Sequence, residues 1–370
     1  MRFPRPSRRA ARPAVATALV AALVAAVLAG CTPAAPHAAF SPGPSAPAGS
    51  PTASPSASPA SRDITLAVAG DVHFTGRTAS LLKDPATAFG SIAATLREPD
   101  LTVLNLETAI TTRGTEQPKE YHFRAPATAF DALRAAGVDA VTLANNHVLD
   151  YGQVGLADTL AAAQAAHFPY FGIGVNADAA WAPLVLTVAG TRFAFIGVSQ
   201  VHDLASSWVA TDTRAGEANA IDEARTLAAI RAARSRADVV VVFMHWGTEG
   251  NGCPNSEQKS LAGKMSSAGA DIILGAHAHV LQGSGWLGNT FVAYGMGNFL
   301  WYGTSHSTQT GVLVLTLHPG APLTTRFLPA VVSATGQPVL LTGSAKTSAE
   351  KHYADLRGCT GLTAAPGRTP

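Results

Sequence analysis

The sequence predicts an α/β fold: a largely parallel set of strands covered by helices, with antiparallel strands added to it. Three observations predict it. Five apolar runs of strand length, ITLAVAG, LTVL, AVTLA, VVVVFM and DIILG, are spread between Ile64 and Gly275. Amphipathic helical stretches stand among them, ATAFDALRAAG, GLADTLAAAQAA and ANAIDEARTLAAIRAARSRA, and such alternation argues for parallel pairing under helical cover. The segment LVLTVAGTRFAFIGVSQ instead reads as a hairpin turning near Ala189 and Gly190, and FVAYGMGNF and TGVLVLTLH are further antiparallel candidates.

Ahead of these elements the chain is of another kind. Arg2, Arg5, Arg8, Arg9 and Arg12 form a basic region before the apolar run AVATALVAALVAAVLAG, the pattern of a secretory signal over residues 1–30. It ends at Leu28-Ala29-Gly30-Cys31, which looks like a lipobox with Cys31 as the lipidated first residue of the mature protein; an uncleaved anchor, or cleavage without lipid, is the alternative. Either way the protein is exported, and with the lipid it sits on the outer face of the cytoplasmic membrane. Residues 31–62, almost wholly Pro, Ala, Ser and Gly from Pro36 to Pro59, form a tether too poor in large apolar groups to pack.

The remaining elements follow in order. ITLAVAG and LTVL are strands. ATAFDALRAAG precedes the strand ending at Asn146, and GLADTLAAAQAA follows it. The third helical stretch has good helix formers throughout and closes near Asp238, where VVVVFM begins a fully buried strand. There are no internal repeats. From about Thr342 the sequence is weakly patterned, so residues 63–360 are read as the domain and 361–370 as a disordered tail.

Charge narrows the function. The chain has 26 Lys+Arg and 24 Asp+Glu, and the five arginines before Cys31 leave 21 against 24, about −3, for the mature part. No basic run or aromatic-basic interleaving is present, so nucleic acid is not an expected partner. Of the three cysteines, Cys253 and Cys359 remain once Cys31 is lipidated, and an exported chain permits them to pair; two free thiols are the alternative.

Each of the five strand runs leads directly into possible metal ligands: Asp71 and His73, Glu107, Asn146 and His147, His245, then His277 and His279. In open α/β sheets ligands bind outside the carboxyl ends of the strands, where residues distant in sequence converge. Oxygen and imidazole donors suit divalent Zn, Mn or Fe, and the set is richer than one ion needs, so two metals are expected. The bland reading of any one residue is a tie between loops.

The order of the motifs resembles the calcineurin-like metallophosphoesterases, with D-x-H, a bridging carboxylate, N-H, H and G-H-x-H each at a strand end. Closer still, GDVHFTGR, NLET, LANNHVLDYG, HWGTE, GAHAHVLQ and YGMGNF are similar to the bacterial capsule synthesis protein CapA family, associated with poly-γ-glutamate, over roughly residues 63–320. The resemblance implies an α/β/β/α sandwich of two mixed sheets flanked by helices. It implies one metal on Asp71, His73 and His279, a second on Asn146, His245 and His277, and Glu107 bridging. Two departures stand out: Glu107 replaces the usual Asp, and His73 is present where many family members carry an apolar residue.

By the same resemblance His147 stands beside the metals as a proton donor or charge stabiliser, with Asp150 orienting it; Asp150 is alternatively an N-cap of the following helix. Arg77, Arg124, Trp246, Glu249 and Asn298 lie in or just after the motif loops and are candidate substrate contacts. His122, His167, His202, His306, His318 and His352 show no partner pattern and read as solvent-facing or locally bonded. Two metals imply hydrolysis of a phosphoester or, with another pocket, a γ-glutamyl amide in an envelope polymer. The rival is a non-enzymatic accessory working with capsule synthesis or export proteins. A nucleotidase would need a second domain for the base, which the residues beyond 320 do not offer.

Overall fold

The computed structural model describes residues 62–303 and 306–367. The expected signal peptide, the lipidation site Cys31 and the tether through residue 61 lie outside the described residues.

β1 (Ile64–Val72) is apolar on both faces, with Leu66 and Val68 in one cluster and Ala67 and Ala69 in another. A strand of that kind is stable only when covered on both sides. β2 (Leu101–Leu106), β3 (Ala140–Thr142) and β4 (Tyr170–Phe171) continue from it in parallel. The chain then builds a second sheet. β5 (Leu184–Val188) and β6 (Thr191–Ser199) form the expected hairpin, and β7 (Val239–Trp246) and β8 (Ile272–His277) add in parallel. β9 (Leu281–Leu287) and β10 (Thr290–Met296) complete the order β9-β10-β8-β7-β6-β5. β11 (Asn298–Leu300) returns beside the end of β1, and antiparallel β12 (Gln309–His318), β13 (Ala321–Val332) and β14 (Pro338–Leu340) finish the first sheet as β14-β13-β12-β1-β2-β3-β4.

The core shows how the layers stack. Ile64, Leu66, Val68, Leu101 and Val103 of the first sheet meet Phe193, Phe195, Val241, Phe243, Ile272 and Leu274 of the second. Alternate residues face outward. Those of the first sheet pack on α1 (Ile92–Leu96), α2 (Thr128–Ala136) and α3 (Gly152–Ala165). Those of the second pack on α4 (Glu223–Arg234) and α5 (Ser256–Ala268). The result is the expected α/β/β/α layering of two mixed sheets.

Local chemistry fixes the helix ends. Asp222 accepts from the Arg225 amide at the start of α4, and Asn255 with Gln258 forms a capping box before α5. α2 stops at Gly137, whose φ of +85° suits a residue without a side chain.

The weakly patterned stretch after Thr342 holds a helix: α6 (Gly343–Asp355) lies along β13 and β9, with Tyr353 stacked on Phe327 at 3.9 Å. The expectation of a disordered tail is corrected over 361–367. Thr363 and Trp286 exchange backbone hydrogen bonds, both at 2.9 Å, so the sheet edge supplies partners that the sequence pattern did not advertise. Just before this strap, Cys359 is bonded to Cys253, with Cα atoms 5.7 Å apart.

Candidate metal centre

A β-bulge places the first ligand. Val68 pairs with Val103, but Asp71 pairs with Asn105, so β1 carries one extra residue between the two positions. Period-two alternation would leave Asp71 on the face of Ala67 and Ala69; the extra residue turns it instead to the face of Asn105. Gly70 lies in the bulge because any Cβ there would run into the carbonyl of Gly297. The Asn105 amide donates to Asp71 Oδ1 at 2.8 Å, and Asn145 in turn donates to Asn105 Oδ1 at 3.1 Å. Three strand ends are thereby joined.

His245 shares the inner face of β7 with Val241 and Phe243. β8 delivers His277 differently. Alternation would send it outward with Ile273, but its φ of +87°, followed by +55° at His279, breaks the extended path. Such left-handed backbone is costly for a residue with a side chain and gathers where function over-determines it. His277 donates its amide to Asp71 Oδ2 at 3.3 Å, and its ring lies 4.8 Å from that of His245.

The side chains form two overlapping groups that share Glu107. Ligand atoms of Glu107, His277 and His279 all lie within 4.8 Å of one another. Glu107 Oε1 is 3.4 Å from His245 Nε2, which is 2.9 Å from Asn146 Oδ1. Asp71 Oδ2 joins His279 Nδ1 at 3.2 Å. Asp71, Glu107, Asn146, His245, His277 and His279 are therefore brought together as expected. His73 is buried nearby in an aromatic box of Phe123, Trp301 and Tyr302, with ring centroids 4.3 to 4.7 Å away. Its Nδ1 accepts from the Thr75 amide at 3.1 Å.

Electrostatics asks for a cation. Both Glu107 oxygens, His277 Nδ1 and His73 Nε2 are buried without a hydrogen-bond partner among the described residues. Buried polar atoms in native proteins are nearly always satisfied, and an uncompensated carboxylate is expensive. Burial, then the charge of Asp71, pushes the Glu107 carboxyl well above its usual range. His279 is lowered by burial, yet Glu107 and Asp71 together lift it to about 9. Burial holds His73 and His277 well below theirs. A buried carboxyl that resists ionising unless a cation stands beside it, next to imidazoles kept neutral and able to coordinate, fits divalent ions.

His147 stands beside this group. Its Nδ1 is 2.7 Å from Asp150 Oδ2 and its Nε2 is 3.7 Å from Glu107 Oε1. Asp150 is thus turned to His147 and does not cap α3, whose N-terminal residue Tyr151 makes no side-chain cap. Burial foremost, then Lys119, keeps His147 well below its ordinary range. The same burial raises Asp150 to about 6 against Lys119.

The remaining candidates divide. Asn298 is buried, and its Oδ1 is 2.9 Å from His279 Nδ1, so it orients a candidate ligand. Trp246 is corrected: as the neighbour of His245 on a strand it points the other way, into the outer core, where its indole donates to the Tyr294 carbonyl at 2.8 Å. Arg124 lies over the Tyr151 ring at 4.5 Å, and Arg77 donates to the Gly303 carbonyl at 3.1 Å. Glu249 pairs with His306 at 3.2 Å, and the His306 ring stacks at 5.8 Å on His279, a placement its sequence context did not signal. Sequence reasoning also missed Asn105, Lys119 and Phe123. Only Asn105, inside NLE, stood within a recognised motif.

Comparison with known proteins decides the family. The family model described as bacterial capsule synthesis protein PGA_cap matches residues 65–302. The chain belongs to that family. Among curated PGA_cap-like relatives, it is 29% identical over 246 residues to the capsule biosynthesis protein CapA of Bacillus anthracis, covering 64% of this chain and 59% of that one. It is 30% identical over 189 residues to a probable polyglutamine synthesis accessory protein of Mycobacterium tuberculosis, covering 49% and 50% respectively. The chain therefore spans between half and three fifths of these relatives. Among solved structures, a novel phosphatase of Mycoplasma pneumoniae aligns with TM-score 0.44 and 14% identity over 77% of this chain and 96% of that one.

Proposed function

We propose that this PGA_cap protein is a divalent-metal-dependent hydrolase acting on a phosphoester or γ-glutamyl amide in capsule or envelope metabolism. One observation carries the reading: Glu107 is fully buried with both oxygens lacking a hydrogen-bond partner among the described residues, and its Oε1 lies 3.4 Å from His245 Nε2 and 3.7 Å from His147 Nε2. Glu107, His277 and His279 with Asp71 would hold one ion, and Glu107, Asn146 and His245 a second, of Mn, Fe or Zn. Bound ions of this kind supply Lewis acidity and make water a nucleophile near neutral pH.

The chain's own residues do the rest. Asn298 and Asp71 fix His279, and Asn105 and Asn145 hold Asp71 and the strand ends in register. His147, with its Nδ1 proton directed to Asp150, presents Nε2 toward the centre. There it takes or returns a proton during bond cleavage.

Cell context is part of the proposal. Lipid attachment at Cys31 would place the domain at the outer face of the membrane, beside capsule synthesis or export proteins. The relative named as a synthesis accessory favours a second reading, in which the centre supports polymer production without turnover. The purified chain, loaded with Mn, Fe or Zn, is assayed on an aryl phosphodiester and on a γ-glutamyl anilide. Metal-dependent hydrolysis that His147→Ala abolishes supports the enzyme. Loaded protein inert on both, with polymer production in cells unaffected by His147→Ala, selects the accessory.

A further inference from the structure

The loop from Gly114 to Phe123 carries none of the residues expected to act, yet it reaches the Asp150 carbonyl and both of its carboxylate oxygens. The Gln117 amide donates to the Asp150 carbonyl at 2.9 Å, and the Phe123 amide donates to Oδ2 at 2.6 Å. Lys119 Nζ pairs with Oδ1 at 3.0 Å. The same ammonium donates to the backbone carbonyl of Asn146 and lies 3.4 Å from His147 Nδ1. Its side chain is only 10% exposed and lies over the Trp208 ring at 5.3 Å. Phe123 then covers His147, ring on ring at 3.9 Å and 14°.

A long flexible side chain buried this far must be held by something. Here it is held by one carboxylate and one carbonyl, those of Asp150, three residues after His147, and of Asn146, just before it. We propose that Lys119 is a positioning residue: it fixes Asp150 and Asn146 together, so that His147 keeps Nδ1–H toward Asp150 and Nε2 toward the metal ligands. Without the ammonium, Asp150 Oδ1 is left buried and unpaired, and the carboxylate is held toward Nδ1 by the Phe123 amide alone. The Phe123 face still restrains the ring plane but cannot choose which nitrogen carries the proton. The inference rests on the proposed role of His147.

The test uses the full chain, zinc-loaded and labelled with 15N-histidine, with an aryl phosphodiester as the kinetic probe. Lys119→Met is expected to keep metal content and a cooperative fold while lowering the melting temperature by a few degrees, because a buried carboxylate oxygen loses its partner. It should leave KM within about twofold while kcat falls by about tenfold or more, the scale of a slightly misplaced group. In long-range 1H–15N spectra the His147 signals should move from a single Nδ1–H pattern to a mixture of tautomers. Lys119→Arg, which retains the charge and donors, should recover both. Unchanged His147 signals with unchanged kcat overturn the proposal. So does a parallel loss of folding, metal and kcat in both variants, which would make Lys119 a structural prop. If the loaded wild-type chain hydrolyses nothing, the proposed function fails, and the His147 spectrum alone decides the positioning role.

Discussion

His245 Nε2 stands 2.9 Å from Asn146 Oδ1, and this contact joins the two sheets at the edge that carries the candidate metal site. His245 comes from β7 of the second sheet, and Asn146 from the loop after β3 of the first. With Glu107 Oε1 at 3.4 Å from the same nitrogen, the three donors stand at the spacing of neighbours around one cation. A cation held by these three atoms would therefore also dock the sheet ends.

The first prediction is that metal stabilises the fold. An ion at 100 times its dissociation constant contributes about 2.7 kcal/mol. Removing it with a chelator should lower the melting temperature, and adding Zn or Mn back should restore it. Elemental analysis should approach two ions per chain. His277→Ala should lose metal and the metal-dependent part of the melting temperature together, whereas His147→Ala should lose neither. A melting temperature indifferent to chelator in the wild type would sink this prediction.

Trp246 separates packing from binding. The side chain is fully buried and hydrogen-bonded to Tyr294. Trp246→Ala should cost about 3–5 kcal/mol in denaturant unfolding, the usual range for removing a large core aromatic. Trp246→Phe should cost much less and leave the KM of any substrate unchanged. A raised KM in a stably folded Trp246→Phe would return the residue to the substrate site.

Much of this architecture is legible in the chain because strands apolar on both faces must be interior, and ligands at their ends must then converge. Local exceptions to alternation are what hid the rest. The bulge at Gly70 and the positive φ of His277 re-aim side chains that a period of two would send elsewhere. Applied strictly, the same period would have turned Trp246 away from the site. α6 escaped notice because it buries only Tyr353 and so shows no apolar stripe. Lys119 and Phe123 lie in a loop without periodicity, and only tertiary contact reveals what they hold.

The disulfide fastens the C-terminal strap to the loop beneath the His-Ala-His turn. Cys253 follows Gly250, whose amide donates to the Ala278 carbonyl at 2.8 Å. The bridge spans 106 residues, and closing a loop of that size contributes about 4–5 kcal/mol in the chain-entropy treatment. Cys253→Ser with Cys359→Ser should lower stability by that order and weaken metal affinity through the loosened turn. Equal denaturation midpoints with and without reductant would show that the pair does not form in solution.

Acid should weaken the opposite end of the sandwich first through Asp100. Its carboxylate accepts from the Thr65 amide and hydroxyl, both at 2.9 Å, and from Arg62 at 2.7 Å, so it ties the start of β2 to β1. The Arg62 hydrogen bond first, then those from Thr65, lower its pKa from 3.8 to about 2 against the opposing effect of burial. A carboxyl with a depressed folded pKa stabilises the native state above its unfolded value, and that contribution fades as pH falls from about 4 through about 2. Because the Arg62 partner is largely solvent-exposed, the contribution is about 1 kcal/mol and falls with salt. Asp100→Asn should therefore lose about that much stability at pH 7 and show a flatter loss between pH 4 and pH 2 in urea unfolding. A variant whose acid limb runs parallel to the wild type would assign the acid sensitivity to other carboxylates.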